Sequence, residues 1–223
     1  MTRTANLGFL KPVLLSALIV LALLLRAAPA AAAETDTLTV AGGCFWCVEA
    51  DFESVPGVIG VVSGYTGGTT ANPTYDQVTR GGTGHYEAVQ ITFDPANISR
   101  ESLLNMFFRS IDPTDAGGQF CDRGDSYRTA IFVSDTGEKA LAEQAKADAQ
   151  TALGQSIVTP ILSQETFYPA EAYHQDYYKG TKLILTRFGP KRQHSAYKAY
   201  RNACGRDARV KQLWGSEALF AGS

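Results

Sequence analysis

The 223-residue sequence has no excess of basic residues. Its 20 Lys and Arg stand against 22 Asp and Glu, for a net charge of −2. A phosphate backbone is gripped by a basic face, so this balance argues against nucleic acid as a partner. A zinc signature is also missing. The pair Cys44-x-x-Cys47 has no second such motif to complete it, Cys121 and Cys204 stand alone and far apart, and no His lies at ligand spacing from them. No metal site is expected. Internal repeats and low-complexity tracts are absent after Glu34. No run beyond that point is long and apolar enough for a transmembrane helix.

The start of the chain reads as an export leader. Arg3 and Lys11 make a basic beginning, Val13 to Leu25 is an apolar run too short for a comfortable span, and Ala27 to Ala33 supplies the small residues a signal peptidase needs. Cleavage is expected near Ala33, which makes the protein periplasmic or secreted with no stable membrane insertion. An uncleaved anchor is the alternative. Losing residues 1–33 removes Arg3, Lys11 and Arg26 and no acid, so the charge falls from −2 to −5 and 190 of the 223 residues remain. Residues 34–223 are expected to form a single catalytic domain acting as a monomer, with 190–223 as a C-terminal tail carrying Cys204. All four cysteines lie in this part. In an oxidising compartment the plain reading is two structural disulfides. A chain of this length buries an adequate core without them, which weakens that reading.

The local patterns predict strands at Thr37–Val40, Val58–Tyr65, His85–Phe93, Arg128–Ser134 and Ile157–Leu162. Pro160 sends the last to a sheet edge. Helices are expected at Cys44–Glu53, after Ser99 with Leu103, Leu104, Phe107 and Phe108 on one face, at Glu138–Leu153 and at Ala170–Lys179. Residues 66–84 and 111–127 read as long loops. The element order predicts an α+β two-layer sandwich with a mixed sheet in split β-α-β, ferredoxin-like order. The two loops should then gather at one end of the sheet as active-site loops.

Cys44 follows a strand and two glycines and opens a helix. Glycines permit a sharp turn, and the free N–H groups and dipole of a helix N-terminus favour a thiolate. A structural half-cystine or an inert buried thiol is the alternative. The Cys44-x-x-Cys47 spacing suits a redox pair, a metal half-site or a small structural loop. Phe45 and Trp46 between the cysteines offer an apolar wall for a methyl group or thioether, or else serve as core residues. Glu87 shares a strand face with Val89, Ile91 and Phe93, a costly place for a carboxylate unless it is neutral or well bonded. Burial there makes it a candidate general acid near neutral pH. Tyr75 and Tyr127 are hydroxyl donors on the loops. Asp122 and Arg123 are expected to form local salt bridges, His174 to lie on a helix surface or cap, and His85 to anchor a strand start. A nucleophilic thiol, an aromatic wall, a neutral acid and hydroxyl donors suit displacement at a soft electrophile bearing a basic oxygen.

The motifs together resemble the peptide methionine sulfoxide reductase A family. They are Gly42-Gly43-Cys44-Phe45-Trp46, Gly64-Tyr65-Thr66-Gly67-Gly68, Asn72-Pro73-Thr74-Tyr75, Gly84-His85-Tyr86-Glu87-Ala88-Val89, Asp122-Arg123-Gly124 with Tyr127-Arg128, and Phe167-Tyr168-Pro169-Ala170-Glu171 with His174-Gln175. They run in family order from Leu38 to Tyr178. The resemblance implies that Cys44 attacks the sulfoxide sulfur and that Glu87 protonates the oxygen, which Tyr75 and Tyr127 hydrogen-bond. Phe45 and Trp46 would hold the methyl group and Asp122 would support the site. The resulting Cys44 sulfenic acid would condense with a second thiol, and a thioredoxin-like or other dithiol reductant would open the disulfide. The implied substrate is the S epimer, free or in oxidised proteins, and no bound cofactor is implied. Many members carry Gly at the position of Cys47, and position 121 is usually not cysteine. The family's habit of placing the resolving thiol in the C-terminal tail ranks Cys204 first, Cys47 second and Cys121 third.

Two other readings stand beside this one. A thioredoxin-like dithiol–disulfide exchanger would need only Cys44-x-x-Cys47. An exported binding module stapled by two disulfides would need no reactive thiol. Neither accounts for Glu87 or the tyrosine loops.

Overall fold

Alternating apolar residues set the strands, and the apolar stripes of the helices cover one face of the sheet they make. The structure is a computed structural model describing residues 34–222. The expected leader lies outside the described residues. In chain order come β1 (Asp36–Gly42), α1 (Phe45–Glu53), β2 (Val58–Thr66), α2 (Tyr75–Arg80), β3 (Tyr86–Phe93) and α3 (Arg100–Phe108). A short pair, β4 (Gly118–Gln119) and β5 (Asp122–Arg123), precedes a 3-10 turn at Asp125–Tyr127. Then follow β6 (Thr129–Val133), α4 (Thr136–Leu153), β7 (Ile161–Ser163) and β8 (Tyr168–Pro169). The hairpin β9 (Leu183–Thr186) and β10 (Gly189–Arg192) leads into α5 (Gln193–Cys204) and α6 (Arg206–Trp214).

The main sheet has the order β7-β6-β1-β3-β2-β8. Only β6 and β7 pair in parallel, so the sheet is mixed and the fold is α+β. β3 lies between β1 and β2 and runs antiparallel to both. Leu38, Val40, Val89, Ile91 and Phe93 of the sheet pack with Val48 and Phe52 of α1, Leu103, Leu104, Phe107 and Phe108 of α3, and Ala142, Ala145 and Ala149 of α4. Truncating one of these phenylalanines to Ala costs about 3–5 kcal/mol. The opposite face carries a smaller cluster of Ala41, Tyr86, Ala88, Ala130 and Phe132. Ser99 caps α3 by accepting from Ser102 N–H at 3.1 Å, as its sequence position suggests. Asp135 caps α4 in the same way, accepting from Glu138 N–H at 2.8 Å. β7 begins just after Pro160 and forms one sheet edge. Among the described residues no helix is long and apolar enough to cross a membrane.

Three segments depart from the sequence reading. The 66–84 loop contains α2, whose start is a reciprocal cap between Thr74 and Gln77. The expected helix at Ala170–Lys179 is a series of turns with one short 3-10 turn at Tyr177–Lys179. It cannot propagate because Asp176 adopts φ 55° and gives its N–H to Glu49 Oε1 at 2.8 Å. Residues 193–214 of the C-terminal tail, whose structure the sequence left open, are two helices: Val210 and Trp214 join the main core, as does Phe220 beyond them. Gly205, at φ 72°, makes the left-handed turn between α5 and α6.

Candidate active site

The turn that presents Cys44 requires glycine. Gly43 has φ 81°, and a Cβ there would stand 2.5 Å from Cβ of Gln119. Cys44 is the N-cap of α1, and the Phe45 N–H behind it donates to Glu87 Oε2 at 3.1 Å. One backbone bond therefore ties the start of the thiol helix to the strand acid.

Glu87 is buried, and the loss of hydration raises its pKa to about 8. The Phe45 N–H and the Tyr127 hydroxyl pull against that rise, while the charge of Asp122 adds to it. Its Oε1 is buried without a protein hydrogen-bond partner. At neutral pH this carboxyl is a proton donor.

Cys44 and Cys47 are free thiols, buried in one cluster at the start of α1, with Cys44 at its N-cap and Cys47 in its first turn. The bond to Cys47 pushes the Cys44 pKa well above the usual thiol range, followed by burial and the charges of Cys47, Glu87 and Asp122. Cys47 is held down, first by the bond from Cys44 and then by Arg206 and Arg201 acting against burial.

A cavity of about 100 Å³ is lined by Cys44, Phe45, Trp46, Tyr75, Glu87, Asp122, Tyr127 and Tyr200. All five residues expected to do chemistry at a single centre and both expected wall residues line it. Phe45 is buried in the core cluster as well as lining the cavity. Trp46 stacks on Tyr177 with ring centroids 3.9 Å apart and planes 7° from parallel. Tyr75 opens α2, and its N–H donates to Glu171 Oε1 at 2.9 Å. The same carboxylate accepts from Tyr65 OH through Oε2 at 2.9 Å. Burial raises the pKa of both Tyr75 and Tyr127, which keeps them protonated donors. A second cavity, about 150 Å³ beside Tyr86, Asp115 and Arg128, contains neither a thiol nor a buried acid.

Asp122 does not pair with Arg123. Arg123 binds Asp115, whereas Asp122 accepts from Tyr200 OH. His85 does anchor its strand: Nδ1 accepts from Gly68 N–H at 3.2 Å, and Nε2 lies 2.8 Å from Thr70 O. His174 is not on a helix surface. Its ring is buried against Phe45, Trp46 and Tyr75 at centroid distances of 5.1, 5.5 and 4.4 Å. Burial lowers its pKa to about 4, so it is a neutral part of the aromatic wall.

Cys121 and Cys204 form a disulfide with a Cα–Cα distance of 4.8 Å. Cys121 is exposed and Cys204 half-buried. The structure thus brings Cys47 to Cys44 and binds Cys204 to Cys121. Two groups among the described residues have metal-like spacing, Cys121–Asp122–Cys204 and Glu49–Glu53–Asp176. Both thiols of the first are spent in the disulfide. In the second, Glu49 already accepts from Ser63 OH and Asp176 N–H.

The sequence reading missed Tyr197, Tyr200, Arg201 and Arg206. A signal for the first two was present: Tyr197, Tyr200 and Cys204 recur at helical spacing and share one face of α5.

A family model described as peptide methionine sulfoxide reductase matches residues 36–217. Peptide methionine sulfoxide reductase MsrA 2 of Caulobacter vibrioides is 51% identical over 197 residues, covering 87% of this chain and 94% of its own. A Listeria monocytogenes MsrA is 49% identical over 181 residues, covering 80% of this chain and 96% of its own. Among solved structures, Mxr1 of Saccharomyces cerevisiae in reduced form has a TM-score of 0.63 at 30% identity, covering 66% of this chain and 86% of its own. Methionine sulfoxide reductase A of Corynebacterium diphtheriae has a TM-score of 0.59 at 30% identity, covering 69% of this chain and 76% of its own.

Proposed function

The chain belongs to the peptide methionine sulfoxide reductase family, oxidoreductases acting on methionine sulfoxide, and from that premise we propose that Cys44 is the attacking thiol and Glu87 the proton donor. The observation that carries this is the shared pocket: Glu87 and Cys44 face one cavity and are joined through the Phe45 N–H. The methyl group rests against Phe45 and Trp46. Tyr75 and Tyr127 donate to the sulfoxide oxygen, and Glu87 gives it a proton. The Cys44 sulfur attacks the substrate sulfur as its thiol proton leaves to solvent, the oxygen passes to Cys44 as hydroxyl when the bond to the substrate sulfur breaks, methionine leaves, and Glu87 takes a proton back from solvent. Cys44 is then a sulfenic acid.

Cys47 is the first resolving thiol in this reading, because it is free and buried in one cluster with Cys44 while Cys204 is bound to Cys121. This reverses the order implied by the family's C-terminal habit. Condensation forms the Cys44–Cys47 disulfide and releases water. Thiol–disulfide exchange with Cys204 and Cys121 moves the oxidation to the surface and restores the buried thiols. A thioredoxin-like or other dithiol reductant then meets a disulfide whose Cys121 is exposed. Asp122, bonded to Tyr200, keeps α5 against the pocket.

The finer assignments belong to the same proposal. The substrate is the S epimer, free or in oxidised proteins. The protein works as a monomer outside the cytoplasm after leader removal near Ala33, a reading supported by the basic and apolar start of the sequence. The four central strands take the split β-α-β, ferredoxin-like order, supported by β3 lying between β1 and β2. The test is turnover of resolved S and R sulfoxides with dithiol present. Turnover of the S epimer that vanishes in Cys44→Ser is expected, and absence of S-epimer turnover contradicts the proposal. Dithiol–disulfide exchange by Cys44 and Cys47 is the second reading, favoured by their being free and paired. It predicts full activity in Glu87→Gln.

A further inference from the structure

The hairpin of β9 and β10 turns apolar side chains to solvent. Leu183 is 67% exposed, Leu185 85%, and Phe188 of the turn 40%. Alternate residues of a strand share a face, so the two leucines stand side by side. The register sets Arg192 opposite Leu183 and Pro190 opposite Leu185 on that face. All four are exposed. Large apolar side chains grouped in water beside polar ones mark a surface that meets another molecule.

The same segment is basic. Between Thr181 and Gln193 stand Lys182, Arg187, Lys191 and Arg192 and no acidic residue, in a chain whose net charge is −2. Elsewhere arginines find carboxylates: Arg100 meets Asp36 and Glu138, Arg109 meets Glu217, and Arg209 meets Asp112. Among the described residues none of the four hairpin cations forms an ion pair. Arg192 donates to Thr181 O at 2.8 Å, and Arg187 lies over the Phe188 ring, both neutral partners. Lys182 and Arg187 flank the leucines along β9. The patch therefore complements a partner with apolar and acidic side chains.

β9 also has a free backbone edge. Gln193 N–H donates to Lys182 O at 3.0 Å. In this register the pairs Lys182 with Gln193, Ile184 with Lys191 and Thr186 with Gly189 then share the ladder bonds. The N–H and C=O groups of Leu183 and Leu185 point away from β10. Among the described residues no other strand pairs with β9. The outer edge of β10 is poorer, because Pro190 has no N–H to offer. An extended chain can add to the β9 edge through its main chain.

Both ends of the hairpin are fixed to the pocket wall. Before it, Tyr177 stacks on Trp46, which lines the pocket. After it, α5 supplies Tyr200 to the pocket and Tyr197 to the cluster that holds Cys44 and Cys47. His194 N–H donates to Gly180 O at 2.9 Å and closes the base. Burial raises the pKa of Asp122 in the pocket, and the Tyr200 hydroxyl and the charges of Arg206 and Arg187 pull it back. The hairpin tip is thus within electrostatic reach of the site. A cavity of about 100 Å³ takes a sulfoxide group and its methyl. When these belong to a longer chain, the neighbouring residues must cross the rim.

Building on the reading that this pocket reduces methionine sulfoxide, we propose that the β9–β10 hairpin is the docking surface for the substrate chain, an extended segment of an oxidised protein with acidic and apolar residues beside its methionine sulfoxide. The leucines cover the apolar neighbours, the cations meet the carboxylates, and the β9 edge pairs with the main chain. Methionine is among the residues most often buried, and its sulfoxide disrupts a core. The sulfoxide is then met in a segment that has lost its fold, with apolar side chains and main-chain groups both uncovered.

The test compares free S-methionine sulfoxide with unstructured peptides that carry one S sulfoxide among apolar residues and either Glu or Lys neighbours. Wild type is expected to favour the Glu peptide about tenfold in kcat/KM at low salt, with the gap closing as salt is raised. Leu183→Ser combined with Leu185→Ser changes exposed side chains and leaves the core alone. It should lower kcat/KM for the Glu peptide about tenfold, through KM, and leave turnover of free sulfoxide unchanged. Lys182→Glu should narrow the preference between the peptides. Equal kcat/KM for the two peptides in wild type at low salt, or full peptide turnover in the double leucine variant, overturns the proposal. So does a double variant whose loss falls instead on the KM for a thioredoxin-like reductant, on self-association in sedimentation, or on binding to anionic lipid vesicles, since each assigns the hairpin to another partner. Failure of wild type to turn over free S-methionine sulfoxide sinks the reading beneath, whereas intact turnover of it with no hairpin effect sinks this inference alone.

Discussion

In the proposed reaction, Glu87 is the residue whose state sets the pH behaviour of the enzyme. With its folded pKa near 8, it donates its proton below that value and loses the ability above it. Turnover should therefore fall as pH rises through about 8, and Glu87→Gln should lose roughly a hundred- to ten-thousand-fold in sulfoxide turnover at neutral pH. Stability changes with the same sign. The folded protein keeps a proton that the unfolded chain gives up near 4.5. The contribution is fully present below that point and is lost as pH rises to about 8, at a slope of about 1.4 kcal/mol per pH unit. Denaturant melts of wild type and Glu87→Gln across this window should converge in pH dependence only after that slope is subtracted. Glu87 was legible in the sequence because a carboxylate interrupts an apolar strand face. Arg201 and Arg206 were not, because a lone arginine in a polar stretch reads as solvated, and its burial depends on partners such as Asp51 far away in the chain. His174 misled for a related reason: its neighbours in sequence are polar, whereas its neighbours in space are Phe45, Trp46 and Tyr75.

At the scale of elements, two short features place Cys44 and Tyr75, the groups the proposed reaction uses. The first is the Gly42-Gly43 turn before α1. Gly43→Ala puts a Cβ against Gln119 in a backbone conformation that strains any L side chain, so about 1–3 kcal/mol of stability should be lost along with the position of Cys44. The melting curve and the alkylation rate of Cys44 check both effects. The second is the reciprocal cap of α2. Thr74→Ala removes the side-chain acceptor for Gln77 N–H, should cost about 1 kcal/mol, and should loosen Tyr75, which opens that helix. A raised KM with retained Cys44 reactivity is the expected kinetic result. The long periodic elements were readable from sequence, since apolar residues at two- or four-residue spacing name their own face. α2 was hidden inside a polar loop despite its Thr74–Gln77 capping box, because six residues are too few for periodicity to register. The turns at 170–179 looked helical until Asp176 took a left-handed conformation, a choice dictated by its long-range bond to Glu49.

Across the whole molecule, the Cys121–Cys204 bond joins the β5 region to the end of α5 over a separation of 83 residues. It holds the C-terminal helices against the pocket, together with Tyr200 and the buried arginines. Replacing both cysteines with serine should lower stability by about 2–4 kcal/mol, read from denaturant midpoints with dithiol absent. The same variant should still complete a first turnover, because Cys44 and Cys47 remain. The organisation of the C-terminal part was the least legible from sequence, since its contacts are made by tyrosines and arginines rather than by an aliphatic stripe. The account as a whole rests on Cys44 taking oxygen from a sulfoxide and passing the oxidation first to Cys47. The most direct measurement mixes the fully reduced protein with S-methionine sulfoxide in the absence of reductant, quenches with acid at early times, and maps the bonds by mass spectrometry. The account predicts release of methionine together with a Cys44–Cys47 disulfide that appears before Cys121–Cys204. Methionine release that survives in Cys44→Ser, or a first disulfide joining Cys44 directly to Cys204, would contradict it.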